Sequence, residues 1–484
     1  MILSRRLIAG LLACTLALQP LRASDLPELG DVAGNDLSPL MEKKVGLEIM
    51  SEIRLRDPAF LDDADVENYL GQLGGRLVAV SDNPGLGFYF FALSDPSINA
   101  FALPGGYIGV HSGLILAAQT ESELAGVLAH EISHVTQRHI ARQVFQSSRL
   151  SMASMVAMGL ALLAARSNAQ ATMGAIVGAQ AGVASAQLAF SRDFEREADR
   201  IGFDILRKAG FDVRGMAAFF SSLQRATRYY ENNAASFLYT HPLTGERLSD
   251  MQNRENEVPY QQVPDSLEFQ LVRAKLRAAQ GLPAEAASHF ERLLDEGKFT
   301  SEQATRYGLA SALYRARDWA GAEQQIVKAR GAKAGAPMIE RLYADIRLAK
   351  GDTEGGLAIY RQAIQRAPRH QGLLDGYAQA LLVARRFDEA LRFASAQLEW
   401  QPDSIRFRRV RVAAYTGLGR NAQQHQELAE VFILQGQLMP AIEQLELAQK
   451  AGDADFYVMS EIDARLRELR RLRLEERKDG RNGG

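Results

Sequence analysis

Five short breaks fix the architecture of the second half of this 484-residue chain. Gly281-Leu282-Pro283, Arg317-Asp318-Trp319, Gly351-Asp352-Thr353, Arg385-Arg386-Phe387 and Gly419-Arg420-Asn421 each separate two helical stretches. Their first residues lie 36, 34, 34 and 34 positions apart, and self-similarity at such a period marks a repeat architecture. Five positions after each break stand Ala286, Ala322, Gly356, Ala390 and Gln424. The four small residues allow two antiparallel helices to approach closely. Pro368 and Pro402, again 34 apart, end second helices, and Gly436 opens a further half-period before Ala441.

This spacing resembles tetratricopeptide repeats, which stack into a curved solenoid whose concave face binds partner segments. The resemblance predicts an all-α solenoid over residues 261–464, followed by a basic helix or tail over 465–484. Upstream, residues 24–260 mix the two kinds of element. Phe88 to Leu93 is aromatic and apolar between Pro84-Gly85 and Asp95-Pro96, and reads as a buried strand. Asn99 to Leu103 and Tyr107 to His111 flank Pro104-Gly105-Gly106, the signature of a hairpin turn. The fold class expected is α+β, mainly α, with a small sheet in the first domain.

The N-terminus reads as an export signal occupying residues 1–23. Arg5 and Arg6 precede the apolar stretch Leu7 to Leu18, and Ala23 offers a small residue for cleavage before Ser24. A twelve-residue stretch falls short of the ~20 needed to span a bilayer. The expected address is a bacterial periplasm. Cys14, the one cysteine, lies inside that segment, so the exported chain has no thiolate for a zinc cluster, a disulfide or an iron–sulfur site. Any metal must rest on histidines and carboxylates. A formal net charge of −2 gives no electrostatic case for nucleic acid.

Thr120-Glu121-Ser122-Glu123 has the form of a capping box and predicts a helix start. Along that helix runs His130-Glu131-Ile132-Ser133-His134. At 100° per residue His130 and His134 lie about 40° apart on one face, where one Zn²⁺ can take both. Glu131 beside them can hold the water that attacks. His139 is nine residues after His130 and, on a continuous helix, faces the opposite side, so it is not expected to be a ligand. The third ligand is sought in Phe194-Glu195-Arg196-Glu197-Ala198-Asp199. Glu195 and Asp199 share a face at i, i+4; Glu195 would complete a His₂Glu site. Asp199 would hold the outer nitrogen of a ligand histidine, and Glu197 should point elsewhere.

Asn99 to Gly106, the His130–His134 motif and Glu195-x-x-x-Asp199 together resemble peptidase family M48, the gluzincin-type metallopeptidases, in its periplasmic branch with C-terminal tetratricopeptide repeats. The resemblance spans nearly the whole exported chain. It implies a zinc metalloendopeptidase with one Zn²⁺ per chain, on His130, His134 and Glu195, with Glu131 as general base. It also implies quality control of misassembled outer-membrane proteins, with the repeats contacting the barrel-assembly machinery and a possible peripheral contact with the outer membrane. His241-Pro242 and the downstream Arg247 match a further pattern of this family. His241 either caps the metal in a resting state or stabilises the developing oxyanion, with Arg247 as an electrostatic aid; an exposed histidine at a helix-start turn is the plain alternative. Asn99, Ala100, Phe101 and Ala102, if they form a sheet edge, can align a substrate backbone by strand addition.

One stretch stands apart. From Ile132 to Arg192 there is no acidic residue, and from Ser151 to Ser191 only Arg166 is charged. Residues 144–190 are open between a buried hairpin, a lid and a membrane contact, with Met155 and Leu163 as the positions that separate them. The rival to an active peptidase is a chaperone or assembly scaffold whose peptidase site is latent.

Overall fold

The computed structural model describes residues 38–146, 191–229, 235–331 and 335–482. The expected export signal, with its expected cleavage point at Ala23, and the segment carrying Met155 and Leu163 lie outside the described residues. In the first part, helix α1 (Pro39–Arg56) and strand β1 (Phe60–Leu61) precede α2 (Ala64–Val78). Strands β2 (Tyr89–Leu93), β3 (Ala100–Leu103) and β4 (Tyr107–His111) follow. Next come α3 (Ser112–Ala117), α4 (Glu121–Thr136), α5 (His139–Gln146), α6 (Arg192–Lys208), α7 (Arg214–Tyr229), α8 (Ala235–Thr240) and α9 (Gly245–Asn256).

The strands form one sheet in the order β1-β2-β4-β3, with β2 parallel to β4 and the other pairs antiparallel. The expected hairpin joins β3 to β4, with Ala100 opposite Val110 and Leu103 opposite Tyr107. Gly105 and Gly106 turn it at φ of 78° and 89°, a left-handed conformation that favours glycine. Alternation along the strands divides the sheet cleanly. Phe91, Leu93, Phe101 and Leu103 pack on Val45, Ile49, Met50 and Ile53 of α1. Phe90, Ala92, Ala100, Ile108 and Val110 face the opposite way, into the core built with α2 and α4.

The solenoid consists of helix pairs α10 (Leu267–Ala279) with α11 (Pro283–Asp295), α12 (Glu302–Arg315) with α13 (Trp319–Arg330), and α14 (Pro337–Ala349) with α15 (Thr353–Arg366). It continues with α16 (Gln371–Val383) and α17 (Phe387–Trp400), then α18 (Ile405–Gly417) and α19 (Asn421–Leu434). Helices α20 (Leu438–Lys450) and α21 (Phe456–Asn482) complete it, and α21 runs unbroken through residues 464 and 465. Every break identified by spacing is a left-handed residue: Gly281, Arg317, Gly351, Arg385, Gly419 and Gly436 have φ between 58° and 87°. Ala322, Ala390, Ala422 and Ala441 are fully buried between helices. No helix among the described residues is long and apolar enough to cross a membrane.

One hydrophobic core runs from α2 and α4 through Phe220 and Phe237 into Phe269, Tyr307 and Ile339 of the solenoid. The first helices of several pairs pack against α2 and the residues that start it. Lys275 of α10 meets Asp63 and Asp65 at 2.7 and 2.6 Å. Arg341 of α14 meets Asp65 at 3.2 Å, and Arg406 of α18 meets Asp62 and Glu67 at 2.7 and 2.9 Å. Asn68 accepts from the Gln371 backbone N–H at 3.1 Å. Beyond them Ser51 of α1 donates to the Gln435 carbonyl. The chain's own α2 thus packs against several repeats of the array. The acids that favour the N-terminus of α2 through the helix dipole also neutralise the cations of three repeats.

Candidate metal centre

The helix carrying the histidine pair begins where the capping box places it. Thr120 Oγ1 accepts from the Glu123 backbone N–H at 3.2 Å, and the Glu123 carboxylate accepts from the Gln119 N–H at 2.7 Å. Nearly every residue of α4 is buried, which is why its pattern reads apolar around the two histidines. Ser191 caps α6 by accepting from the Phe194 N–H, and Gly210 ends it at φ 78°. The two helices approach closely because Gly202 has no side chain: a Cβ there would lie 3.0 Å from the His130 backbone nitrogen. His241 follows α8, and Thr244 caps α9 by accepting from the Arg247 N–H.

His130, His134, Glu195 and His241 converge in one buried cluster whose candidate ligand atoms lie within 4.8 Å of one another. His130 Nε2 and His134 Nε2 are 3.0 Å apart. Glu195 Oε2 lies 3.6 Å from His130 Nε2, and Glu195 Oε1 lies 3.5 Å from His134 Nε2. His241 Nδ1 stands 3.4 Å from His130 Nε2 and 2.9 Å from Glu195 Oε1. Ligands held about 2.0–2.2 Å from a tetrahedral zinc ion stand about 3.3 Å from one another. The observed spacings bracket that value, and two imidazole nitrogens turned face to face with a carboxylate are a donor set suited to Zn²⁺. The residues fit the metal.

Glu131 is fully buried beside this cluster, and neither of its carboxylate oxygens has a full hydrogen-bond partner. Burial raises its pKa, against the opposing pull of His241 and His130. The backbone N–H of Ala102 also favours its charged form, so β3, the edge strand of the sheet, passes beside the base. Asn99, Ala100 and Phe101 are buried, while Ala102 is half-buried. Burial lowers the pKa of His134 well below its ordinary value, helped by His130 and His241, and keeps its ring neutral.

Behind the cluster lies a second layer. Asp199 Oδ1 stands 3.0 Å from His130 Nδ1, the place expected for it. Burial would raise the Asp199 pKa, but hydrogen bonds from Arg247 and the contact with His130 bring it down to about 2. Arg247 completes this layer. Its Nε and Nη2 grip both oxygens of Asp199 at 2.6 and 2.8 Å, and its Nη1 reaches Glu195 at 2.7 Å and the Pro242 carbonyl at 2.8 Å. A guanidinium so engaged clamps two carboxylates. His241 is buried, not the exposed residue of a plain turn.

His139 is absent from the ligand set, as expected, but for another reason. The helix is not continuous: α4 ends at Thr136, and Arg138 takes a left-handed φ of 53°. The chain turns back and buries His139 with its Nδ1 2.9 Å from His134 Nδ1. Glu197, which does face away from the cluster, receives His139 Nε2 at 3.2 Å and Arg142 at 2.9 Å. Neither Gly nor Pro announces the break, so the one sequence signal was the unexplained pairing of a histidine five residues after His134 with an acid inside the second motif.

Comparison with known proteins agrees with this geometry. The pattern of peptidase family M48 matches residues 64–255, and that of the tetratricopeptide repeat matches residues 347–414. The chain is 31% identical over 447 residues to a putative beta-barrel assembly-enhancing protease of Vibrio cholerae, covering 92% of each. It is likewise 31% identical over 454 residues to the beta-barrel assembly-enhancing protease of Escherichia coli K12, covering 93% of this chain and 92% of that one. The mitochondrial metalloendopeptidase OMA1 of Schizosaccharomyces pombe is 29% identical over 217 residues, which are 44% of this chain and 61% of its own. With two relatives aligned over at least 92% of each chain, this chain belongs to peptidase family M48, as a zinc metalloprotease whose catalytic part is joined to a tetratricopeptide array.

Proposed function

We propose that this chain is a periplasmic zinc endopeptidase that degrades misassembled outer-membrane proteins and assists β-barrel assembly. The buried His130–His134–Glu195 cluster with Glu131 at its side is the observation that carries the reading. The export signal read from residues 1–23 supports the address, and the names of the full-length relatives support the substrate class.

His130, His134 and Glu195 would hold the zinc ion, with His241 as a fourth group. A zinc ion bound there supplies Lewis acidity, which polarises a peptide carbonyl and acidifies nearby water. Glu131 takes the proton of the attacking water and passes it to the leaving amine nitrogen. The outer edge of β3 pairs with an extended substrate, reading backbone more than side chains, so specificity is loose. Asp199 fixes the orientation of His130, and Arg247 holds Asp199 and Glu195 in place.

The latent-scaffold reading also has an observation behind it. His241 Nδ1 occupies the position among His130, His134 and Glu195 that a catalytic site keeps open for water. This arrangement is a resting state, and cleavage requires His241 to swing aside. The test is crosslinking in living cells, comparing the parent with Glu131→Gln and identifying trapped proteins by mass spectrometry. Glu131→Gln should retain zinc, lose roughly 10²–10⁴-fold in cleavage and accumulate outer-membrane barrel proteins. Undiminished proteolysis by that variant, free of contaminating protease, would overturn the assignment.

A further inference from the structure

We propose that His139 is a positioning residue for His134, acting through a directed hydrogen-bond chain that ends on Arg142. The inference rests on the metal reading of the cluster and goes beyond it. A neutral imidazole carries one N–H. His134 turns Nε2 toward His130 Nε2 at 3.0 Å and Glu195 at 3.5 Å, so with Nε2 given to a metal, its proton must sit on Nδ1. The group 2.9 Å from that Nδ1 is His139 Nδ1. To accept, His139 must in turn carry its own proton on Nε2, which lies 3.2 Å from Glu197 Oε2. Glu197 can only accept, and Arg142 Nη1 donates to the same oxygen at 2.9 Å. Each link has one possible direction once the first is set.

The surroundings hold the His139 ring in the plane this chain needs. It is fully buried and stacks on Phe194, with centroids 4.6 Å apart and planes 13° from parallel. Arg142 lies over the same Phe194 ring at 4.5 Å. Phe194 immediately precedes Glu195, so one helix supplies both a metal-facing carboxylate and the platform for His139. The left-handed turn at Arg138 makes the contact possible. Five residues after His134 on a continuous helix, His139 would stand about 140° away around the axis. The two histidines of the motif therefore have different supports: a carboxylate, Asp199, behind His130, and a neutral imidazole behind His134.

The test compares two replacements of nearly equal shape in the full-length chain. In His139→Asn the amide oxygen can stand where Nδ1 stood and accept from His134; in His139→Leu nothing can. Zinc affinity is measured by competition with a chelator, and ligand geometry by the visible absorption of the Co²⁺-substituted protein. His139→Leu should bind zinc about 10–100-fold more weakly with a shifted cobalt spectrum, whereas His139→Asn stays near the parent in both. Parent-like affinity and spectrum in His139→Leu would overturn the proposal, as would equal losses in both variants, which would mean a packing role only. If His139→Leu fails to fold, Glu197→Leu, at a partly exposed site, decides: a smaller loss in the same direction supports the chain, and no change overturns it. A parent that takes up no zinc would instead overturn the metal reading, and the inference with it.

Discussion

Nε2 of His241 lies 3.4 Å from Oε1 of Glu131, while Nδ1 of the same ring lies 2.9 Å from Glu195. One imidazole thus bridges the candidate base and a candidate ligand. A ring in that position blocks the approach of water and of a carbonyl. His241→Ala should therefore raise cleavage of an unfolded barrel protein, by roughly 5–150-fold if the cap contributes about 1–3 kcal/mol, with zinc retained on three residues. A fall in rate, followed with purified protein at equal zinc occupancy, would mean that His241 serves the reaction and does not restrain it.

Arg247 holds Asp199 with two hydrogen bonds and Glu195 with a third contact, all buried. Arg247→Ala takes the guanidinium from two buried carboxylates and should lower unfolding stability by about 3–5 kcal/mol. Arg247→Lys should recover little, because an ammonium cannot make the bidentate grip. Urea unfolding of the three metal-free proteins measures both effects.

Asp65 ties α2 to two repeats. Burial would raise its pKa, yet Arg341 and Lys275 together hold it well below the ordinary carboxylate range. A carboxylate with a depressed folded pKa contributes its full stability above its unfolded pKa of about 3.9, and that contribution drains as the pH falls toward the folded value. Asp65→Asn should thus destabilise at pH 7 by about 2–4 kcal/mol, less than a fully buried pair because Lys275 keeps some water contact. The gap between parent and variant should narrow below pH 4. Denaturation midpoints at several pH values check both the size and the sign.

Arg317 and Arg385 adopt φ of 62° and 59° where the neighbouring repeats use glycine. A left-handed residue with a Cβ costs about 1–2 kcal/mol, partly offset by the entropy that glycine loses on folding. Arg385→Gly should accordingly stabilise the chain by roughly 0.5–1 kcal/mol, read as a rise in thermal midpoint.

Much of this was legible in the residues. The 34-residue spacing located the left-handed breaks because a helix pair must reverse at the same point in each repeat. The capping box located α4, and helical spacing placed His130, His134, Glu195 and Asp199 on facing sides. What escaped depended on packing between distant segments. Nothing local distinguishes Asp62 to Glu67 from ordinary acids at a helix start, so their capture by Lys275, Arg341 and Arg406 could not be read. His139 was hidden by a break without Gly or Pro, where Arg138 accepts strain that tertiary contacts repay. Arg247 was marked as important, but which charge it would meet depended on how α9 docks on α6.

Anomalous diffraction at the zinc edge, from crystals of the full-length chain, tests the central claim most directly. The predicted result is one zinc ion per chain, about 2.0–2.2 Å from His130 Nε2, His134 Nε2 and a Glu195 oxygen. An ion bound elsewhere, or crystals grown with zinc that show Glu195 out of reach of the two histidines, would contradict it.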